Sequence, residues 1–171
     1  MIWKVPPKIK IYEAISAIVD GRVKFSLGKE WIVVTPENIN KIDFPTSGIA
    51  KVTSSNKEKE YTVKWNFSIS YITSDDNGSK WQGYLGYPSI AILMIGHILP
   101  YPSQVASYLK GINWNRLNKK FKRDYDTVEK YVLLSIEKDH PKEALDIKKS
   151  IDEIYNKIKE LKLKNTTTIN F

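Results

Sequence analysis

Between residues 61 and 73 apolar and polar side chains alternate. Tyr61, Val63, Trp65, Phe67, Ile69 and Tyr71 fall on one side, and Thr62, Lys64, Asn66, Ser68 and Ser70 on the other. A period of two marks a strand with one buried and one wet face. The pattern predicts a single long strand with a bend or bulge inside it, since about 13 residues exceeds the usual strand length. Residues 49–54 are its natural partner, and Asp75-Asp76-Asn77-Gly78 predicts a sharp hairpin-type turn after it. Upstream, residues 23–27 and 31–35 flank Gly28-Lys29 as a second hairpin. Before them Ile11, Ile15 and Ile18 recur at helical spacing, with Gly21 placed to end the helix.

From Pro88 onward the period becomes helical. Pro88 suits a first helical turn, and the apolar run 90–99 predicts a buried helix; a bilayer span needs about 20 apolar residues. A short helix is expected from Pro102-Ser103 to near Gly111. The stripe Trp114, Leu117, Phe121, Tyr125, Val128 and Val132 predicts one helix reaching about Lys138, and Asp139 and Pro141 mark a break. The last helix carries Ala144, Ile147, Ile151, Ile154, Ile158 and Leu161, a heptad-like seam suited to lying antiparallel on its predecessor. The expected architecture is α+β: a small antiparallel sheet with N-terminal and central covering helices, followed by a helical hairpin over 113–163. One domain is expected over 1–164, with sheet and helix to 99, a helical part over 100–164, and a polar tail at 165–171.

Composition narrows the chemistry. The 171 residues contain no cysteine and two histidines, His97 and His140. That removes disulfides, thiol catalysis and Cys- or His-rich metal sites, so no metal or cofactor is expected. His97, on the apolar helix, reads as a hydrogen-bonded core histidine. No apolar leader precedes Pro6-Pro7, and with the cysteine count this points to the cytoplasm, without a membrane partner. The net charge is +8, from 27 basic and 19 acidic residues. The excess leans to residues 100–171, which hold 15 basic against 10 acidic residues. Such a balance favours polyanionic partners and says nothing about fold.

Two segments carry candidate binding chemistry. Within residues 110–123, Lys110, Arg116, Lys119, Lys120, Lys122 and Arg123 occur with no acid among them, interleaved with Trp114 and Phe121. Cationic side chains neutralise phosphates and aromatic faces stack on unpaired bases. The run 103–123 also has the outline of a helix-turn-helix. The competing reading puts Trp114, Leu117 and Phe121 in the core and the lysines on a solvated face. The second segment holds Lys80, Trp81, Gly83, Tyr84, Gly86 and Ser89 before a helix N-terminus, where backbone N–H groups can hold an anion. It matches neither the phosphate loop nor the dinucleotide fingerprint; there the competing reading is turns and packing. No Ser/His/Asp order, paired-histidine helix or lipase-type elbow is present, and no enzymatic activity is expected.

Residues 10–23 and 76–93 resemble small conserved hypothetical proteins of archaea, thermophilic ones among them. The resemblance covers about a fifth of the chain, implies a source, and implies no activity. The expectation is therefore non-catalytic nucleic-acid or other polyanion binding through 110–123, DNA or RNA left open. The alternatives are an interaction or self-assembling module using the 144–161 seam, as a homo-oligomer, and a small-anion binder at 83–89.

Overall fold

The computed structural model describes residues 1–165. Its strands are β1 (Val23–Leu27), β2 (Glu30–Val34), β3 (Ser47–Thr53), β4 (Glu60–Asn66) and β5 (Tyr71–Ser74). All pair antiparallel in one sheet of order β2-β1-β3-β4-β5, with Val23 opposite both Val34 and Val52. Alternation sorts the faces: Val23, Phe25, Ala50, Val52, Val63, Trp65 and Ile72 are buried on one side. On the other side Trp31 lies half-exposed, with the ammonium groups of Lys24 and Lys51 at 5.5 and 5.3 Å from its ring.

The alternating run 61–73 is two strands, not one. The Asn66 side chain accepts the Ser68 N–H at 3.1 Å, a 3-10 turn follows over Phe67–Ile69, and Ser70 is left-handed at φ 54°. Asn and Ser side chains offer the backbone such turns. The chain reverses there and sets Trp65 opposite Ile72. The reversal changes the phase, so Ile72 and Ser74 face inward in β5. Asp75-Asp76-Asn77-Gly78 is likewise no hairpin turn. Asp76 is buried and the chain enters a single wide helical turn over Gly78–Gln82.

Helix α1 (Ile9–Val19) is buried almost all round; it packs on α2 (Tyr87–Ile95) and on the C-terminal helices, and α2 in turn lies against β4 and β5. Its two buried polar residues, Glu13 and Ser16, face the chain after residue 105 through hydrogen bonds to Asn118, Leu109 and Trp114. The expected helix of 103–111 is one 3-10 turn, Ala106–Leu109, so no helix-turn-helix forms. The helix expected over 113–138 breaks into α3 (Trp114–Lys120) and α4 (Tyr125–Glu137). Lys122 and Arg123, both at positive φ (52° and 62°), turn the chain there, and Asp124 caps α4 by accepting the Thr127 N–H at 3.2 Å.

Helix α5 (Pro141–Glu160) packs on α4 and α1, and its seam Ala144, Ile147, Ile151, Ile154 and Ile158 closes on the chain's own core. Beyond it, Lys164 exchanges backbone hydrogen bonds with Ser70 and Ile72 and covers the β5 edge. Residues 166–171 of the expected tail lie outside the described residues. His97 is not a core histidine: it sits exposed at φ 60°, just past the end of α2. Among the described residues no helix is long and apolar enough to cross a membrane.

Candidate functional site

The two segments singled out in the sequence meet across one cleft of about 580 Å³. One wall is the stretch 76–84, contributing Asp76, Gly78, Trp81 and Tyr84; the opposite wall is α3 and the turn after it, with Asn115, Asn118, Lys119 and Arg123. Lys10 and Glu13 of α1 line it, Tyr61, Tyr87 and Tyr125 add aromatic surface, and Arg22 and Ser54-Ser55 complete the lining. The volume falls in the usual ligand-pocket range of roughly 300–1,000 Å³.

Each wall is held by identifiable contacts. Asp76 accepts the Ser79 N–H (3.2 Å) and hydroxyl (2.7 Å), and Ser79 Oγ accepts the Gly86 N–H at 3.3 Å. A side chain at Gly86 would collide with the Asp76 carboxylate, and one at Gly78 with the Tyr84 ring. Glycine is therefore required at both positions by space, not by backbone angle. On the other wall, Asn113 caps α3 by accepting the Arg116 N–H at 3.0 Å. The Asn115 N–H donates to Ser55 Oγ (3.0 Å), tying α3 to the β3–β4 connection. Trp114 donates its indole N–H to Ser16 Oγ at 2.8 Å, and Ser16 donates to the Leu109 carbonyl at 2.7 Å.

The charged groups divide into engaged and free. Arg22 donates to the Thr53 carbonyl at 2.5 Å and pairs with Asp20 at 3.4 Å, so it is structural. Lys10 pairs with Glu13 at 2.8 Å, their side chains 14% and 7% exposed. Burial alone would lower the Lys10 pKa, but the Glu13 carboxylate more than offsets it and holds it above the ordinary lysine value. Glu13 Oε1 accepts the Asn118 amide at 2.8 Å, while Asn118 Oδ1 is buried with no hydrogen-bond partner. Burial also raises the pKa of the Tyr61, Tyr84 and Tyr87 phenols, leaving them neutral donors. By contrast, Lys119 and Arg123 are exposed and form no ion pair among the described residues. These are the lining cations available to an incoming anion.

Of the six basic residues named from the sequence, Lys119 and Arg123 line the cleft; Lys110, Arg116, Lys120 and Lys122 are exposed outside it. Lys120 instead sits over the Phe121 and Tyr131 rings, at 5.4 and 5.3 Å. Of the second set, Trp81 and Tyr84 line the cleft. Lys80 stands outside with its ammonium 5.4 Å from the Trp81 ring. The Gly83 carbonyl is taken by the Lys4 N–H, Gly86 is locked by Ser79, and Ser89 is fully buried. Sequence reasoning missed Lys10, Glu13, Tyr61, Asp76, Asn118 and Tyr125. One signal was present: Lys10, Glu13 and Ser16 recur every three residues on an otherwise apolar helix, the mark of a polar stripe with a purpose. Among the described residues no group of histidine and carboxylate side chains is placed to hold a metal ion.

A family model described as "Uncharacterised conserved protein UCP014422" matches residues 3–41 and 38–164, and the chain belongs to that family. No curated protein and no solved structure matches it.

Proposed function

We propose that this family member binds single-stranded nucleic acid, holding one nucleotide in the cleft while the adjoining backbone runs past Lys119 and Arg123. The observation that carries the reading is the meeting of two cations, neither in an ion pair among the described residues, with an aromatic wall at one concave site. Phosphates are neutralised by exposed lysine and arginine with counterion release, and unpaired bases stack on aromatic faces. Trp81, 71% exposed at the rim, offers ring surface to a base, with the Lys80 ammonium 5.4 Å from its centroid. The tyrosine-lined interior suits a base splayed out of a strand and has no room for a duplex. Lys110, Arg116 and Lys122, exposed on the same segment, extend the positive field beyond the cleft.

The test is a fluorescence-polarisation titration with a labelled single-stranded oligonucleotide at several salt concentrations, in RNA and DNA forms. With two cations on phosphates, log Kobs falls against log salt with a slope of about −1.4, steeper if the outlying lysines take part. Trp81→Ala weakens binding by about 1–3 kcal/mol and leaves the fold intact. Absence of binding at low salt, indifference to salt, or equal binding of a duplex would sink the proposal. Mononucleotides run in parallel separate a strand binder from a protein that takes free nucleotides.

A further inference from the structure

We infer that the cleft selects guanine, read by the buried row Lys10, Glu13 and Asn118. The inference rests on the nucleotide-binding reading above and names the base that site takes. Across the floor the row runs donor, acceptor, acceptor: the Lys10 ammonium, the Glu13 carboxylate 2.8 Å from it, and the Asn118 carbonyl oxygen. The Asn118 amide is oriented by Glu13, because its Nδ2 donates to Glu13 Oε1 at 2.8 Å. Turned over, it would set two acceptor oxygens against each other. Its Oδ1 is thus held as an acceptor, buried and without a partner among the described residues. Such an atom costs free energy until a donor reaches it. Glu13 Oε2 pairs with the Lys10 ammonium at 2.8 Å and takes no hydrogen bond from any other described residue.

The Watson–Crick edge of guanine reads acceptor, donor, donor: O6, N1–H and the N2 amine. It is the one common base that complements this row throughout. Uracil and thymine offer acceptor, donor, acceptor, and bring a carbonyl against Asn118 Oδ1. Adenine and cytosine place an amine donor against the Lys10 ammonium. Both acceptor atoms are closed to solvent in the empty cleft, so for a base to reach them the Glu13 carboxylate and the Asn118 amide bonded to it have to turn together toward the cleft. The Tyr125 ring, whose centroid lies 5.2 Å from Lys10 Nζ, flanks this floor. Mismatched polar groups in a shielded site discriminate more strongly than lost apolar contacts.

The experiment compares five otherwise identical single-stranded oligonucleotides whose central base is guanine, adenine, cytosine, uracil or inosine. Guanine is expected to bind about tenfold tighter or more than adenine, cytosine or uracil, in line with the discrimination of a good base-edge contact. Inosine keeps O6 and N1–H but lacks the N2 amine, so it falls between. In Asn118→Ala the difference between guanine and inosine disappears. Because inosine alters the ligand, the comparison stands on the unaltered protein even if the variant fails to fold. Equal affinity for all five bases overturns the guanine inference and leaves the cleft reading in place. Binding of none overturns both.

Discussion

Replacing Gly86 with alanine is predicted to destabilise the protein, although its backbone angles favour the opposite. At φ −75° alanine is an allowed residue, and removing a glycine should raise stability by about 0.4–1 kcal/mol through the unfolded chain. Space decides otherwise: the added Cβ would lie 2.5 Å from Asp76 Cγ. Carbon atoms rest about 3.5–4.0 Å apart, so the carboxylate has to retreat by about 1 Å. That movement breaks its hydrogen bonds from the Ser79 N–H and hydroxyl. Each bond to a charged acceptor contributes roughly 1.5–3 kcal/mol. Water entering from the cleft recovers part of the loss, since Asp76 lines it. The net cost is about 3 kcal/mol, read in urea unfolding as a fall of about 1–2 M in the midpoint at unchanged slope. In an Asp76→Ala background the same substitution should cost little, which a double-mutant cycle measures directly. A neutral or stabilising G86A, or an equal cost in both backgrounds, would refute the reasoning.

Ser16→Ala is expected to cost about 3 kcal/mol, because it strands the Trp114 indole N–H and the Leu109 carbonyl in the core; a loss below about 1 kcal/mol in urea unfolding would contradict this. Stability should also fall in alkali. Burial raises the Tyr12 and Tyr87 phenols above their ordinary 10.0, so above that pH the unfolded chain releases protons first and unfolding is favoured. The slope is about 1.4 kcal/mol per pH unit for each phenol. Lys10, with a folded-state pKa above 10.5, adds stability that is full below that value and is lost as the pH rises through its folded-state pKa. Unfolding curves that do not change from pH 8 to 11 would rule this out.

Elements whose period matched their burial were legible. The α5 seam repeats as a helix packed on one side should, and its five seam residues from Ala144 to Ile158 are buried. The run 61–73 misled because alternation in sequence records side-chain character and not chain direction. The turn at Asn66–Ser70 uses residues that also suit the wet face of a strand. The stripe after Trp114 misled in the same way. A single helical phase carried across Phe121, while the break was made by backbone angles at Lys122 and Arg123 that side-chain type does not announce. Part of the site, Lys119, Arg123, Trp81 and Tyr84, was visible as local composition, an acid-free basic run and an aromatic glycine-rich stretch. Its floor was not, because Lys10 and Glu13 meet Asn118 only after α1 is enclosed by chain more than a hundred residues away. The polar stripe on α1 said that something polar must face it, without saying what.

The most direct test of binding through the cleft compares two paired variants of the same basic segment. Lys119→Gln with Arg123→Gln removes the lining cations, and Lys120→Gln with Lys122→Gln removes an equal charge outside the cleft. Titrated with a single-stranded oligonucleotide across salt concentrations, the first pair should lose about 1.4 from the log–log slope and most of its affinity at low salt. The second pair should stay close to the unaltered protein. Equal losses in both pairs would mean that binding follows net charge and not the cleft, and would contradict the account.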